Sequence, residues 1–195
     1  MSEATYIHGT DPEEQERLAL LNRLTNPPFL DFLELRPADR VLEVGSGLGI
    51  LSAEVARRLP NGSVTGVEVS TEQLARAERS LSNIQFVLSD AHHLPFEDGA
   101  FDKVYCRYLL EHVADPLRVL REMRRVLRPG GLAFAQENNI LANVLDPECP
   151  RFDVVWRQFA VLQEQLGGDA LIGRRLFALF RQAGFEQVRL SLQPE

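Results

Sequence analysis

The run VLEVGSGLGI, Val41 to Ile50, is an apolar, strand-like segment that passes a carboxylate and then turns through three alternating glycines. A chain that leaves a strand this sharply and enters the helical pattern LGILSAEVARRL is committed to an α/β unit. The rhythm then repeats through SVTGVEV, STEQLARAERSL, IQFVL, FDKVYC, a helix around PLRVLREMRRVL, a Pro129-Gly130-Gly131 turn and LAFAQE. Five β-rich runs separated by helices predict an α/β, doubly wound, mostly parallel sheet with helices on both faces. Ligands of such sheets sit beyond the carboxyl ends of the strands.

The flanks read differently. Residues 1–40 form a helical preface: Asp11-Pro12-Glu13-Glu14 has the cap, proline and acids of a helix start, and the helix runs to about Leu24. Asn26-Pro27-Pro28 is expected to break it, with a second short helix carrying Phe29, Phe32 and Leu33. Residues 41–137 are the alternating core, 138–170 a helical insertion around VVWRQFAVLQEQL, and 171–195 a terminal helix, LIGRRLFALFRQAG, followed by a strand-like FEQVRLSL. With 195 residues, 45% of them hydrophobic, all four belong to one domain.

The net charge of -7 and the alternation of arginines with acids in RVLREMRRVLR leave no basic stripe for nucleic acid. Cys106 and Cys149 form no CxxC pair, and His92-His93, as adjacent residues, do not aim at one metal ion. The polar, acidic start has no signal-peptide core, and no run reaches the ~18 apolar residues of a membrane span. These features predict a cytoplasmic protein.

Gly45, Gly47 and Gly49 open room for a ligand, but Ile50 stands where a dinucleotide fingerprint needs its third glycine. The acids sharpen the reading. Glu43 lies near the end of the first strand, Glu68 at the end of the second and Asp90 just after the third, and parallel topology brings all three to one rim. Grouped carboxylates repel a pyrophosphate but accept hydrogen bonds from ribose hydroxyls, an ammonium group and an adenine amine. The pattern asks for a cationic nucleoside. Glu43 can either touch that ligand or brace the loop, and each acid can also be a solvated rim residue.

In order from Val41 to about Ala135, these residues resemble the class I S-adenosylmethionine-dependent methyltransferases, in the small-molecule branch of ubiquinone/menaquinone-biosynthesis-like enzymes. VLEVGSGLG is similar to their first motif, VTGVEVS to the second, and FVLSDAHHLPFEDGAFDKV to the third; RYLLEHVADP and LRPGG resemble the family's later segments. The resemblance implies a Rossmann-like core that binds S-adenosylmethionine, releases S-adenosylhomocysteine and methylates a small-molecule acceptor. It further implies that Gly45, Ser46 and Gly47 line the aminoacyl part, Glu68 takes both ribose hydroxyls, and Val69 packs on the adenine with Gln73 nearby. Asp90 and the Ala91 amide would read the adenine, and Arg107 would mark the cofactor edge through its carbonyl.

YIHGTDPEEQERL resembles a segment that covers the cofactor in one subgroup, which makes Tyr6, His8 and Gly9 lid candidates. His112, a short step beyond the fourth strand, is the first candidate for a general base or else a packed helix-end residue; Glu137 is the second. Phe152, Trp156 and Phe159 would line the acceptor pocket or simply form core. Asn26-Pro27-Pro28-Phe29 is similar to the NPPF loop of adenine amino-methyltransferases, but that loop follows the fourth strand, so a helix-breaking connector is the expectation. The family's final antiparallel strand has no counterpart after FEQVRLSL, which implies a shortened chain or variant, or a sheet edge open to a homodimer. Two other function classes share these glycines: a non-catalytic cofactor-binding or dimerisation module, and a nicotinamide dehydrogenase.

Overall fold

The computed structural model describes residues 12–143 and 145–192, so the expectations for Tyr6, His8, Gly9 and Asp11 lie outside the described residues. Helix α1 (Pro12–Phe32) leads into five parallel strands: β1 (Arg40–Val44), β2 (Ser63–Glu68), β3 (Ile84–Leu88), β4 (Phe101–Arg107) and β5 (Leu127–Gln136). Between them stand α2 (Ile50–Arg57), α3 (Thr71–Arg76), a 3-10 turn (Leu110–His112) and α4 (Pro116–Val126); α5 (Pro150–Gln165) and α6 (Leu176–Gln182) come after the sheet. The sheet order is β3-β2-β1-β4-β5, so the chain winds outward from β1 in one direction and then restarts beside it with β4. That reversal puts the β1–α2 loop at the switch point, where ligands of open α/β sheets bind.

The sheet separates two cores. Leu42, Val44, Val104 and Cys106 face α4 and α6, joining Val119, Leu120, Met123, Leu179 and Phe180. Val41, Val64, Tyr105 and Phe134 face α1 and α2, joining Phe29, Leu33, Val55 and Leu59. Successive side chains alternate between faces, so Glu43 falls between the two buried neighbours of the first set and points with Val41 toward α1 and α2. Arg107 follows Tyr105 onto the same face.

The expected break at Asn26-Pro27-Pro28 does not occur: both prolines lie inside one continuous α1. Two prolines remove two helix donors, and four side-chain hydrogen bonds and a buried face offset the loss. The Thr25 hydroxyl donates to the Leu21 carbonyl at 2.8 Å, Asn26 Nδ2 donates to Glu54 Oε1 of α2 at 2.8 Å, and Arg107 donates to both Thr25 and Asn26. Phe29, Leu30 and Leu33 are buried against the sheet just beyond. Tertiary contacts override the local signal.

A second difference concerns Phe185–Leu192, which forms no strand. A strand needs a ladder partner, and the segment has none alongside β5; Leu192 is 93% exposed, while Phe185 packs on Phe180 at 4.9 Å. The Pro129-Gly130-Gly131 turn is absorbed into β5 as a register break, with Phe101 opposite Leu127 and then Lys103 opposite Leu132.

Candidate functional site

The β1–α2 loop is folded onto the end of β2. Gly45 and Ser46 amides donate to the Val67 carbonyl at 2.8 and 2.9 Å, and the Gly47 amide donates to Glu68 Oε2 at 3.0 Å. Glu68 Oε1 accepts from the amides of Val69 and Ser70, both at 2.9 Å. One carboxylate thus ties the glycine loop to the turn entering α3, and Ser70 caps that helix by accepting from the Gln73 amide. The loop is packed close: a Cβ on Gly47 would stand 2.9 Å from Gln73 Oε1, and one on Gly45 the same distance from Leu109. The Ser46 hydroxyl is buried without a hydrogen-bond partner, and Val69, next to Glu68 in the chain, is 65% exposed. An orphaned hydroxyl, an exposed apolar residue and a carboxylate on one rim suit a nucleoside with a hydrogen-bonding arm.

Glu43 takes the bracing place. It is 4% exposed and accepts from the Ser52 hydroxyl of α2. Burial pushes its pKa up to about 7, against the lowering effects of Ser52, Tyr105 and the Arg107 charge. The Tyr105 hydroxyl beside it is buried and outside hydrogen-bond geometry, yet each of the two groups shifts the other's titration.

Asp90 is exposed, and His92 converges on its Oδ1 through the backbone amide at 2.9 Å and through Nδ1 at 2.7 Å. Ala91 packs on the α4 and α6 core. His93 contacts Arg118, so the two adjacent histidines are engaged with separate partners.

Glu137 is spent as a cap. Its Oε1 accepts from the Leu109 and Leu110 amides at 3.0 and 2.8 Å, and its Oε2 from Glu111 at 3.3 Å, which holds the 3-10 turn that carries His112. A base needs a lone pair facing its substrate, and this geometry makes Glu137 a brace for the turn instead. Burial and then the Glu111 charge push its pKa up to about 8 in spite of those amides. His112 Nε2 lies 3.6 Å from Glu111 Oε1, and Glu111 is itself buried with Asn138 Nδ2 at 3.4 Å.

These two raised carboxyls make stability depend on pH. Glu43 and Glu137 hold their protons more tightly in the folded chain than at the ordinary value of 4.5. The stability they contribute is fully present below that value and is lost as pH rises through about 7 and about 8. Urea midpoints are expected to fall from pH 5 to about pH 9, and Glu137→Gln is expected to flatten the upper part of that fall. A midpoint that is constant or rising over that range would contradict the assignment.

The insertion contributes a second concavity. Phe152, Trp156 and Phe159 stack edge-on along α5 with centroids 5.8 and 5.7 Å apart. Phe152 and Trp156, with Ile140, Leu141, Asn143, Asp153 and Arg157, line a small open cleft; Phe159 does not. The helix is tethered by Gln163, whose Nε2 donates to the Glu111 carbonyl at 3.1 Å. The residues that sequence reasoning missed are Ser52, Tyr105, Thr25, Asn26 and Gln163. Only Asn26 carried a signal, as a polar residue set before two prolines and an apolar run.

Comparison with known proteins bears on this arrangement. A family described as a methyltransferase domain matches residues 42–135. The demethylmenaquinone methyltransferase of Thermotoga maritima is 34% identical over 120 residues, 62% of this chain and 49% of that protein. An S-adenosylmethionine-dependent methyltransferase from Aquifex aeolicus superposes with a TM-score of 0.69 over 93% of this chain and 92% of its own, at 19% identity, a likeness of fold. The [4+2]-cyclase SpnF is 36% identical and superposes with a TM-score of 0.52 over 56% of this chain and 44% of its own. The chain spans about half the length of the curated relatives it matches.

Proposed function

We propose that the chain, whose residues 42–135 match a methyltransferase domain, acts as a class I S-adenosylmethionine-dependent methyltransferase and transfers a methyl group from S-adenosylmethionine to a small apolar or aromatic acceptor. The observation that carries this reading is the Glu68 carboxylate, set at the end of β2 and already organising the glycine loop through Gly47. Glu68 would accept from the ribose hydroxyls, Val69 and Gln73 would flank the adenine, and Asp90 with the Ala91 amide would read its edge. Gly45, Ser46 and Gly47 would line the aminoacyl arm, with the orphaned Ser46 hydroxyl gaining a partner there.

The cofactor supplies a sulfonium-activated methyl group; the chain has to align an acceptor and keep water out. Phe152 and Trp156 on α5 would contribute apolar surface to the acceptor side, and the tether of α5 to Glu111 through Gln163 links that helix to the turn bearing His112. His112 would take the proton of a hydroxyl acceptor, and the Glu111 carboxylate at 3.6 Å would stabilise the imidazolium. Among the described residues no helix is long and apolar enough to cross a membrane. Free thiols at Cys106 and Cys149 suit a reducing cytoplasm.

Incubation with methyl-labelled S-adenosylmethionine and a panel of quinols, phenols and amines is the test. Label is expected in a phenolic or quinol product, and His112→Ala is expected to lower kcat for it by about 100-fold. A protein that binds the cofactor but labels nothing would favour the second reading, a cofactor-binding protein with other or no chemistry. The likeness to a cyclase gives that reading its weight.

A further inference from the structure

The guanidinium of Arg107 is a buried cation with neutral partners. The residue is 9% exposed; its Nε donates to Gln136 Oε1 at 2.8 Å, one terminal nitrogen to Asn26 Oδ1 at 2.5 Å and the other to the Thr25 hydroxyl. The rings of Phe29 and Tyr108 lie 5.5 and 4.8 Å from its central carbon. Among the described residues no carboxylate lies within ion-pair distance of it, and Glu43, which feels its charge, gives its carboxylate to Ser52. A guanidinium has five N–H donors, of which these bonds use three. Burying an ionised group is costly unless an opposite charge meets it.

The position says where that charge would come from. Val44 and Cys106 are register partners, so Arg107 stands across from Gly45, the first glycine of the loop. Asn26, which holds the guanidinium from α1, also donates to Glu54 of α2. α1 and β5 therefore hold one fork of donors directly, with α2 supporting it through Asn26, beside the part of the loop assigned to the aminoacyl arm.

We propose that Arg107 recognises the α-carboxylate of that arm with its two remaining N–H groups. This goes beyond the carbonyl contact implied by resemblance, and it rests on the proposed binding of S-adenosylmethionine. It also gives Thr25 and Asn26 a role: they hold the fork in place, so docking of α1 and binding of the carboxylate support each other. A guanidinium suits this task because its planar donors match a carboxylate in pairs.

The test compares S-adenosylmethionine with decarboxylated S-adenosylmethionine, which keeps the nucleoside, sulfonium and amine, by calorimetric titration of the full chain. The unmodified protein is expected to prefer the carboxylated form by roughly 10- to 100-fold, the range of hydrogen bonds between charged groups. Arg107→Gln is expected to erase the preference, read as the ratio of the two affinities within that variant, and Arg107→Lys to restore part of it. Equal affinity of the unmodified protein for both forms overturns the proposal even if the variants fail to fold. A preference that survives in Arg107→Gln overturns the assignment to this residue, and failure of both forms to bind removes the cofactor reading with it.

Discussion

Replacing Glu68 by alanine is expected to weaken S-adenosylmethionine binding by at least about 100-fold, since two hydroxyl bonds to a charged acceptor are lost at roughly 1.5–3 kcal/mol each. The structure adds a detail to that expectation. A carboxylate offers about four acceptor positions, and the amides of Gly47, Val69 and Ser70 already take three of them. Seating both ribose hydroxyls therefore requires one amide to let go or share. Gly47 is the candidate, because its bond is the longest of the three at 3.0 Å and joins separate elements. A released Gly47 amide would then be available to the ligand, so Glu68 links the two halves of the site. Glu68→Gln keeps a carbonyl for the amides and should fold better than Glu68→Ala while still losing affinity. Unchanged affinity in a folded Glu68→Ala protein would show that β2 is misassigned as the ribose strand.

The second large effect is expected at Gly49, where alanine should destabilise the fold by about 2–5 kcal/mol. Gly49 has φ of 72°, and a Cβ there would lie 2.3 Å from Phe86 Cζ and 2.8 Å from Cε1. The left-handed backbone costs a non-glycine residue about 1–2 kcal/mol, and forcing a methyl group into a packed ring about 1–3 kcal/mol. Phe86 has little room to retreat: it belongs to β3, and Arg79 lies over its ring at 5.5 Å. Urea denaturation of Gly49→Ala checks the sum, and the double variant with Phe86→Leu should recover the steric part but not the backbone part. A loss under about 1 kcal/mol would mean that the loop has another conformation.

The strands were legible because a parallel sheet buried on both faces leaves continuous apolar runs, and VLEV, SVTGVEV and FDKVYC are such runs. The acids at strand ends were legible too, but their roles were not. Glu68 and Glu137 look alike in sequence, each an acid where a strand stops; only the fold shows that Glu68 gathers the glycine loop while Glu137 caps the turn before His112. Continuity of α1 through Pro27 and Pro28 was hidden for a related reason. The propensity that argues for a break is local, whereas the support comes from Arg107, 81 residues away from Asn26. FEQVRLSL has the alternation of a strand, but alternation does not supply a ladder partner.

The central claim is that the rim formed by the glycine loop and Glu68 binds a cationic nucleoside and rejects a dinucleotide. Calorimetric titration of the unmodified protein with S-adenosylmethionine, repeated in the presence of NADH, tests it most directly. Saturable one-to-one binding that NADH does not diminish is the expected result; no binding of S-adenosylmethionine, or its displacement by NADH, would contradict it.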